Sequence, residues 1–177
     1  MMTGQPMPRV PALPESEIQD DLRVAIQEAR EERVLSATLP LKVWAHRPQV
    51  ALPWLQTLRS FYRDSLLDDR LRELVRLKIA SITRCSVCQT GRKSDRVSEQ
   101  DIACLAHDSD HFSAPEQAAL QFAEMFASDY LAIGDAQFEQ LRHHFCDAAI
   151  VELTLFCALM LAGGRATLVL DAIEEQM

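Results

Sequence analysis

Apolar residues recur at three- and four-residue intervals through most of the chain, the period of one face of an α-helix. Ile18, Leu22, Ala25, Ile26 and Ala29 keep this spacing to about Val34, and Ser16 with Gln19 reads as a capping box at the start. Leu39 to Pro48 fits a short helix that stops at His46-Arg47-Pro48, because the residue before a proline is disfavoured in α geometry. Pro53 then suits the first turn of a helix presenting Leu55, Leu58, Phe61 and Tyr62. Asp68-Asp69 supplies cap chemistry for a helix whose apolar face is Leu71, Leu74, Val75, Ile79 and Ile82. The hydroxyl-rich, β-branched Ser81-Ile82-Thr83 is the expected end of that helix, with another beginning near Cys85. Ser98 with Asp101, and Ser113 with Pro115 and Glu116, mark two further starts, separated by the polar break His107 to His111. Gly134-Asp135 precedes Phe138, Leu141 and Phe145, and Asp147 can cap a last long apolar helix that Gly163-Gly164 are expected to weaken or kink. Strand alternation, internal repeats and phosphate-binding glycine loops are not found, so the pattern predicts an all-α, single-domain helical bundle.

Pro6, Pro8, Pro11 and Pro14 deny the beginning of the chain a regular helix. Residues 1–15 are therefore read as an extended or disordered arm, and residues 16–177 as the one helical domain. A length of 177 residues and 25% charged residues suit one ordinary globular core. The formal charge of -8 argues against a phosphate-binding surface, and no nucleic-acid partner is expected. The N-terminal stretch has no apolar h-region, and Leu153 to Gly164 is too short to span a bilayer, so a soluble, cytoplasmic protein without a membrane partner is expected.

Candidate chemistry concentrates between Glu73 and Arg92, in ELVRLKIASITRCSVCQTGR. Cys85-x-x-Cys88 can close a small-ring disulfide or ligate a metal, and without a secretory signature that spacing points to redox chemistry or metal binding. A reactive dithiol needs something to lower a thiol pKa, and a helix start near Cys85 and the cation of Arg92, four residues after Cys88, both offer it. Glu73 lies off the apolar stripe and reads from spacing as a surface acid paired with Arg76. His46, beside a proline turn, is a possible outer residue of the site, or a helix-end histidine. His143 and His144 read as surface residues, and Cys104, Cys146 and Cys157 as buried small hydrophobes. Cys85-x2-Cys88 followed by His107-x3-His111 leaves a zinc module open as an alternative. A metal-free, cofactor-free site is expected.

At LDDRLRELVRLKIASITRCSVCQTGRKSDRV the chain resembles the alkylhydroperoxidase D-like, or carboxymuconolactone decarboxylase, family, supported by HRP at His46 to Pro48 and FCDAAIVELT at 145–154. Glu73, Cys85 and Cys88 match the family's glutamate and dithiol, whereas Arg92 stands at the position of its histidine. The resemblance implies an all-α fold, assembly into trimers or hexamers, and peroxiredoxin-type reduction of hydroperoxides with electrons from a dithiol reductant protein. It implies that Cys88 attacks the peroxide, Cys85 donates a proton and resolves the sulfenic acid, and Glu73 belongs to a proton relay. Guanidinium cannot return a proton as imidazole does, so Arg92 modulates the thiolate rather than replacing the histidine. A disulfide substrate, a lactone decarboxylase and a non-catalytic scaffold with a vestigial dithiol are the other readings.

Overall fold

The computed structural model describes residues 7–106 and 109–173, and among them every regular element is helical. The expectations for residues 1–6, and for His107 in a zinc site, lie outside the described residues. Residues 7–14 carry no helix, and the N–H groups of Arg9 and Leu13 donate to the carbonyls of Leu170 and Lys42 at 2.9 and 3.1 Å. A 3-10 turn at Glu15–Glu17 intervenes before α1 (Asp20–Glu31). The Ser16/Gln19 capping box therefore does not form, and Gln19 is the N-cap without a side-chain bond. After α2 (Leu39–Trp44) comes α3 (Pro48–Arg63), which starts earlier than the Pro53 signal. Pro48 takes the first helical position, where a missing N–H costs nothing, and Pro53 falls inside the helix.

The central element is α4 (Asp69–Ile82), started by the Asp68 carboxylate, which accepts from the Leu71 N–H at 3.0 Å. Every residue from Leu71 to Ala80 is buried, charged ones included, because other segments cover α4 on all sides. After it come α5 (Ser86–Thr90), α6 (Glu99–Cys104), α7 (Ala114–Ser128), α8 (Asp135–Arg142) and α9 (Asp147–Val169). Leu71, Val75 and Ile79 join Phe122 and Ala123 of α7 and Ile150, Leu153 and Phe156 of α9. Leu74 and Leu77 pack with Val97, Leu105, Phe112 and Leu120, while α1, α2 and α3 enclose Leu22, Ala29, Leu41 and Leu55. Full burial of each valine, leucine, isoleucine or phenylalanine among them contributes about 1.5–3 kcal/mol.

The last helix corrects two expectations. It is 23 residues long and passes unbroken through Gly163 and Gly164. A Cβ on Gly164 would lie 2.9 Å from Thr83 Oγ1, so this glycine admits the end of α4 rather than bending α9. By length and composition α9 could cross a membrane, which the shorter stretch read from the sequence could not. Only 28% of its most apolar stretch is buried, and Val151, Leu155, Leu168 and Val169 face outward.

Candidate active site

The end of α4 delivers the dithiol. Thr83 is the C-cap, and its hydroxyl turns back to the Ile79 carbonyl at 3.0 Å. Arg84 takes the left-handed conformation at φ 56°, with its N–H donating to Ser81 and that of Cys85 to Ala80, at 3.3 and 3.1 Å. This is a Schellman ending with arginine where glycine is usual. Cys85 then serves as the N-cap of α5, and Cys88 sits in its first turn. The two are joined as a disulfide with Cα atoms 5.2 Å apart. Cys85 is 1% exposed and Cys88 half-buried, so the second sulfur is the more accessible of the pair.

Glu73, read from spacing as a surface acid, is buried, and so is its partner Arg76. Arg76 Nε and Nη2 donate to Glu73 Oε2 and Oε1 at 2.6 and 2.7 Å, the bidentate geometry that suits a guanidinium. The same guanidinium donates to the carbonyls of Cys88 and Gly91 at 2.5 and 2.7 Å, satisfying groups that the end of a five-residue helix leaves without partners. Glu73 Oε1 also accepts from the backbone N–H of Lys93 at 3.0 Å. One buried ion pair thus holds both the dithiol turn and the strand of chain that follows it. Gly91 tightens this junction, since a Cβ there would meet Ser36 Oγ at 2.6 Å.

Cys85, Cys88, Arg76 and Lys93 line a cavity of about 130 Å³ whose other walls are mostly apolar. Trp44 of α2 and Trp54 of α3 meet edge to face at 5.7 Å, and Leu58, Tyr62, Ile79 and Met160 complete the principal surfaces. Burial pushes the Tyr62 phenol up to about 12, with the cation of Arg76 opposing, so it stays neutral at ordinary pH. Burial likewise drives the Lys93 amine down to about 7, Arg76 and Arg33 adding repulsion and Glu73 offsetting part of it. The Lys93 amine has no ion-pair or hydrogen-bond partner among the described residues.

Arg92 is not on one helical face with Cys88, because α5 ends at Thr90 and Gly91 is extended. Its Nη2 pairs with Glu99 Oε1 at 3.0 Å, its Nη1 donates to the Gln89 carbonyl, and its Nε is buried without a partner among the described residues. His46 belongs to another groove, where its Nε2 donates to the Pro11 carbonyl at 2.8 Å. His111 bonds Asp101, with Nε2 2.8 Å from Oδ1, and His143 and His144 are exposed. Cys157 is buried, its thiol pushed up to about 12 by burial, but Cys104 is only half-buried and Cys146 is the exposed N-cap of α9. Sequence reasoning named Arg76 only as the partner of a surface acid and passed over Lys93. An acid and a base three residues apart were visible, but the segment covering them was not.

No family model matches the chain. The uncharacterized protein YnjA of Escherichia coli (strain K12) is 27% identical over 144 residues, covering 75% of this chain and 76% of that protein. The crystal structure titled alkylhydroperoxidase AhpD core, an uncharacterized peroxidase-related protein from Ralstonia eutropha JMP134, matches with TM-score 0.73 and 19% identity, covering 98% of this chain and 95% of that one. The apo structure of the debrominase Bmp8 matches with TM-score 0.77 and 17% identity, over 93% of this chain and 91% of that one. A cysteine-to-alanine variant of Bmp8 in complex with 2,3,4-tribromopyrrole gives TM-score 0.78 and 14% identity, over 98% and 93%. The chain has the all-α fold of alkylhydroperoxidase D-like proteins.

Proposed function

We propose that the protein is a thiol-dependent peroxidase that reduces apolar organic hydroperoxides through Cys88 and Cys85. The observation that carries this reading is a Cys-x-x-Cys pair opening onto a small cavity walled by Trp44, Trp54, Leu58 and Met160. Cys88 is the attacking sulfur because it is the more accessible, and the buried Cys85 resolves its sulfenic acid to the disulfide with loss of water. Glu73 and Arg76 fix the turn on which Cys88 sits, and a dithiol reductant protein returns two electrons. Stopped-flow mixing of reduced protein with cumene hydroperoxide tests it: one peroxide should disappear for every two thiols lost, and Cys88→Ser should abolish the reaction. Two unreacted thiols after exposure to hydroperoxide would overturn it.

The aromatic walls and the likeness to a debrominase favour a second reading, reductive debromination of a small bromoarene. There the two thiols are oxidised to the disulfide while the carbon–bromine bond becomes carbon–hydrogen and hydrogen bromide leaves. Bromide release from 2,3,4-tribromopyrrole by the reduced protein separates the two. We further propose a cytoplasmic homo-oligomer, a trimer or hexamer, in which the outward residues Val151, Leu155 and Val169 of α9 meet other copies rather than lipid. Light scattering should return a multiple of 20.0 kDa without detergent, and a monomer would count against that assembly.

A further inference from the structure

We propose that Lys93 is the acid–base group of the dithiol, taking the thiol proton of Cys88 as the sulfur attacks and returning it to the departing oxygen. The inference rests on the peroxidase reading and supplies the proton carrier which that reading requires. Cys88 and Lys93 are hung on one support, since Arg76 holds the Cys88 carbonyl while its partner Glu73 holds the Lys93 N–H. Both side chains line the same cavity.

The other groups facing this amine are unsuited to the task. On α4, Arg76 is a guanidinium committed to Glu73 and to two carbonyls, and both oxygens of Glu73 already accept hydrogen bonds. From α3, the Tyr62 phenol stays protonated far above neutrality. Arg33, in the segment after α1, contributes a repelling charge and pairs with Asp95. The cavity-lining residues of α2 and α9 include no ionisable side chain. Lys93 is left as the uncommitted amine, and its affinity for protons near neutrality lets it serve in both directions.

The step balances. The neutral amine accepts the Cys88 proton, giving thiolate and ammonium. The thiolate attacks the terminal oxygen of the hydroperoxide, the oxygen–oxygen bond breaks, and Cys88 becomes a sulfenic acid while an alkoxide leaves. The ammonium, having lost its thiolate neighbour, protonates the alkoxide to the alcohol and is neutral again. Cys85 then displaces water from the sulfenic acid, and an external dithiol reduces the disulfide.

The test uses the reduced full-length protein, with cumene hydroperoxide consumption and iodoacetamide alkylation of Cys88, located by mass spectrometry, each followed from pH 5 to 9. Wild-type turnover should rise through a limb near pH 7. Lys93→Met should lose that limb and about a hundredfold in turnover, and should alkylate about tenfold more slowly at pH 7. Lys93→Arg keeps the cation but cannot give up its proton, so alkylation should stay within about threefold of wild type while turnover falls as far as in Lys93→Met. A purely structural lysine would not separate the two measurements. If Lys93→Met fails to fold by circular dichroism, Lys93→Arg carries the test alone. A wild-type pH profile of turnover in whichever variant folds overturns the proposal. Should wild-type protein leave hydroperoxide untouched, the peroxidase reading falls by itself. The alkylation profile then decides Lys93, with no change in Lys93→Met refuting its coupling to the thiol and a tenfold loss sustaining it.

Discussion

Among the arginine–carboxylate clusters of helix α4, those of Arg70 and Arg76 differ in what they leave unpaired. Toward its start, Arg70 grips Asp101 with two bonds of 2.8 and 3.0 Å and reaches Glu116 at 2.7 Å and the Arg96 carbonyl at 2.7 Å. Asp101 also accepts from the Ser98 N–H at 2.7 Å and bonds His111. Arg70 first, and Ser98 and His111 after it, hold its carboxyl far below the usual carboxylate range against the opposing effect of burial. One turn or more along, Arg76 and Glu73 form an equally tight pair, yet beside them stands Lys93, half-buried and without a counter-ion among the described residues. The first cluster fastens the starts of α6 and α7 to α4 and has nothing left to react. The second spends one ion pair on architecture and keeps an amine available in the cavity that Cys88 also lines.

The sharpest way to break this contrast is to delete one carboxylate from each cluster. Asp101→Ala should lower stability by about 3 kcal/mol, because Arg70 loses its two-bond partner while keeping Glu116, and α6 loses its capping box, with the pH profile of Cys88 alkylation unchanged in the folded protein. Urea denaturation and alkylation on one sample check both halves. Glu73→Gln should cost about 3 kcal/mol and should also slow peroxide-driven disulfide formation roughly tenfold, because Cys88 and Lys93 lose their common support. A slowed reaction in Asp101→Ala, or an unaltered one in Glu73→Gln, would erase the distinction.

Lys93 sharpens the comparison through pH. Its folded pKa of about 7 lies below the unfolded value of about 10.4, so between them the unfolded chain binds more protons and stability rises with pH. Below pH 7 the full cost of the buried ammonium is felt. Lys93→Met should therefore gain about 2 kcal/mol over wild type at pH 6, allowing for partial exposure, and the gain should vanish toward pH 10. Asp101 gives a slope of the same sign in a more acidic window, but as a stabilising group: its contribution is present above the ordinary carboxylate range and is lost as pH falls below it. Thermal melts across pH of wild type and Lys93→Met measure the difference. The smallest effect is expected for Gly91→Ala, about 1–2 kcal/mol, as the new methyl pushes on Ser36 Oγ and Cβ at 2.6 and 2.7 Å and shifts that wall of the cavity.

Much of this was legible because the signals are local. Asp68, Ser98 and Ser113 carry their cap chemistry within one turn, and the structure begins α4, α6 and α7 beside them. The fold class follows from a helical period repeated over many segments. Pro48 and Pro53 both fit a helix start, and only packing chooses between them. Gly163-Gly164 reads as a weakness until Thr83 is seen against it. The Cys-x-x-Cys spacing announces itself, but the use of Arg92 assumed that α5 would run on, whereas it stops at Thr90. Lys93 lies beyond that stop in a stretch without regular structure, where no periodicity assigns a side chain to a face.

The short run before α1 has a mechanical consequence. Its Arg9 N–H is fastened to Leu170 just past α9 and its Leu13 N–H to Lys42 on α2, while Pro11 between them accepts from His46. Trp44 on α2 and Thr167 on α9 both line the dithiol cavity. This run is a strap across two walls that are otherwise distant in the chain. Cutting it should leave the rest of the core packed while lowering the free energy of the local opening that parts those walls, exchanging backbone amides on α2 and the end of α9 faster than those of α4. On this geometry the strap ties together two walls of the sulfur's cavity without lining that cavity itself.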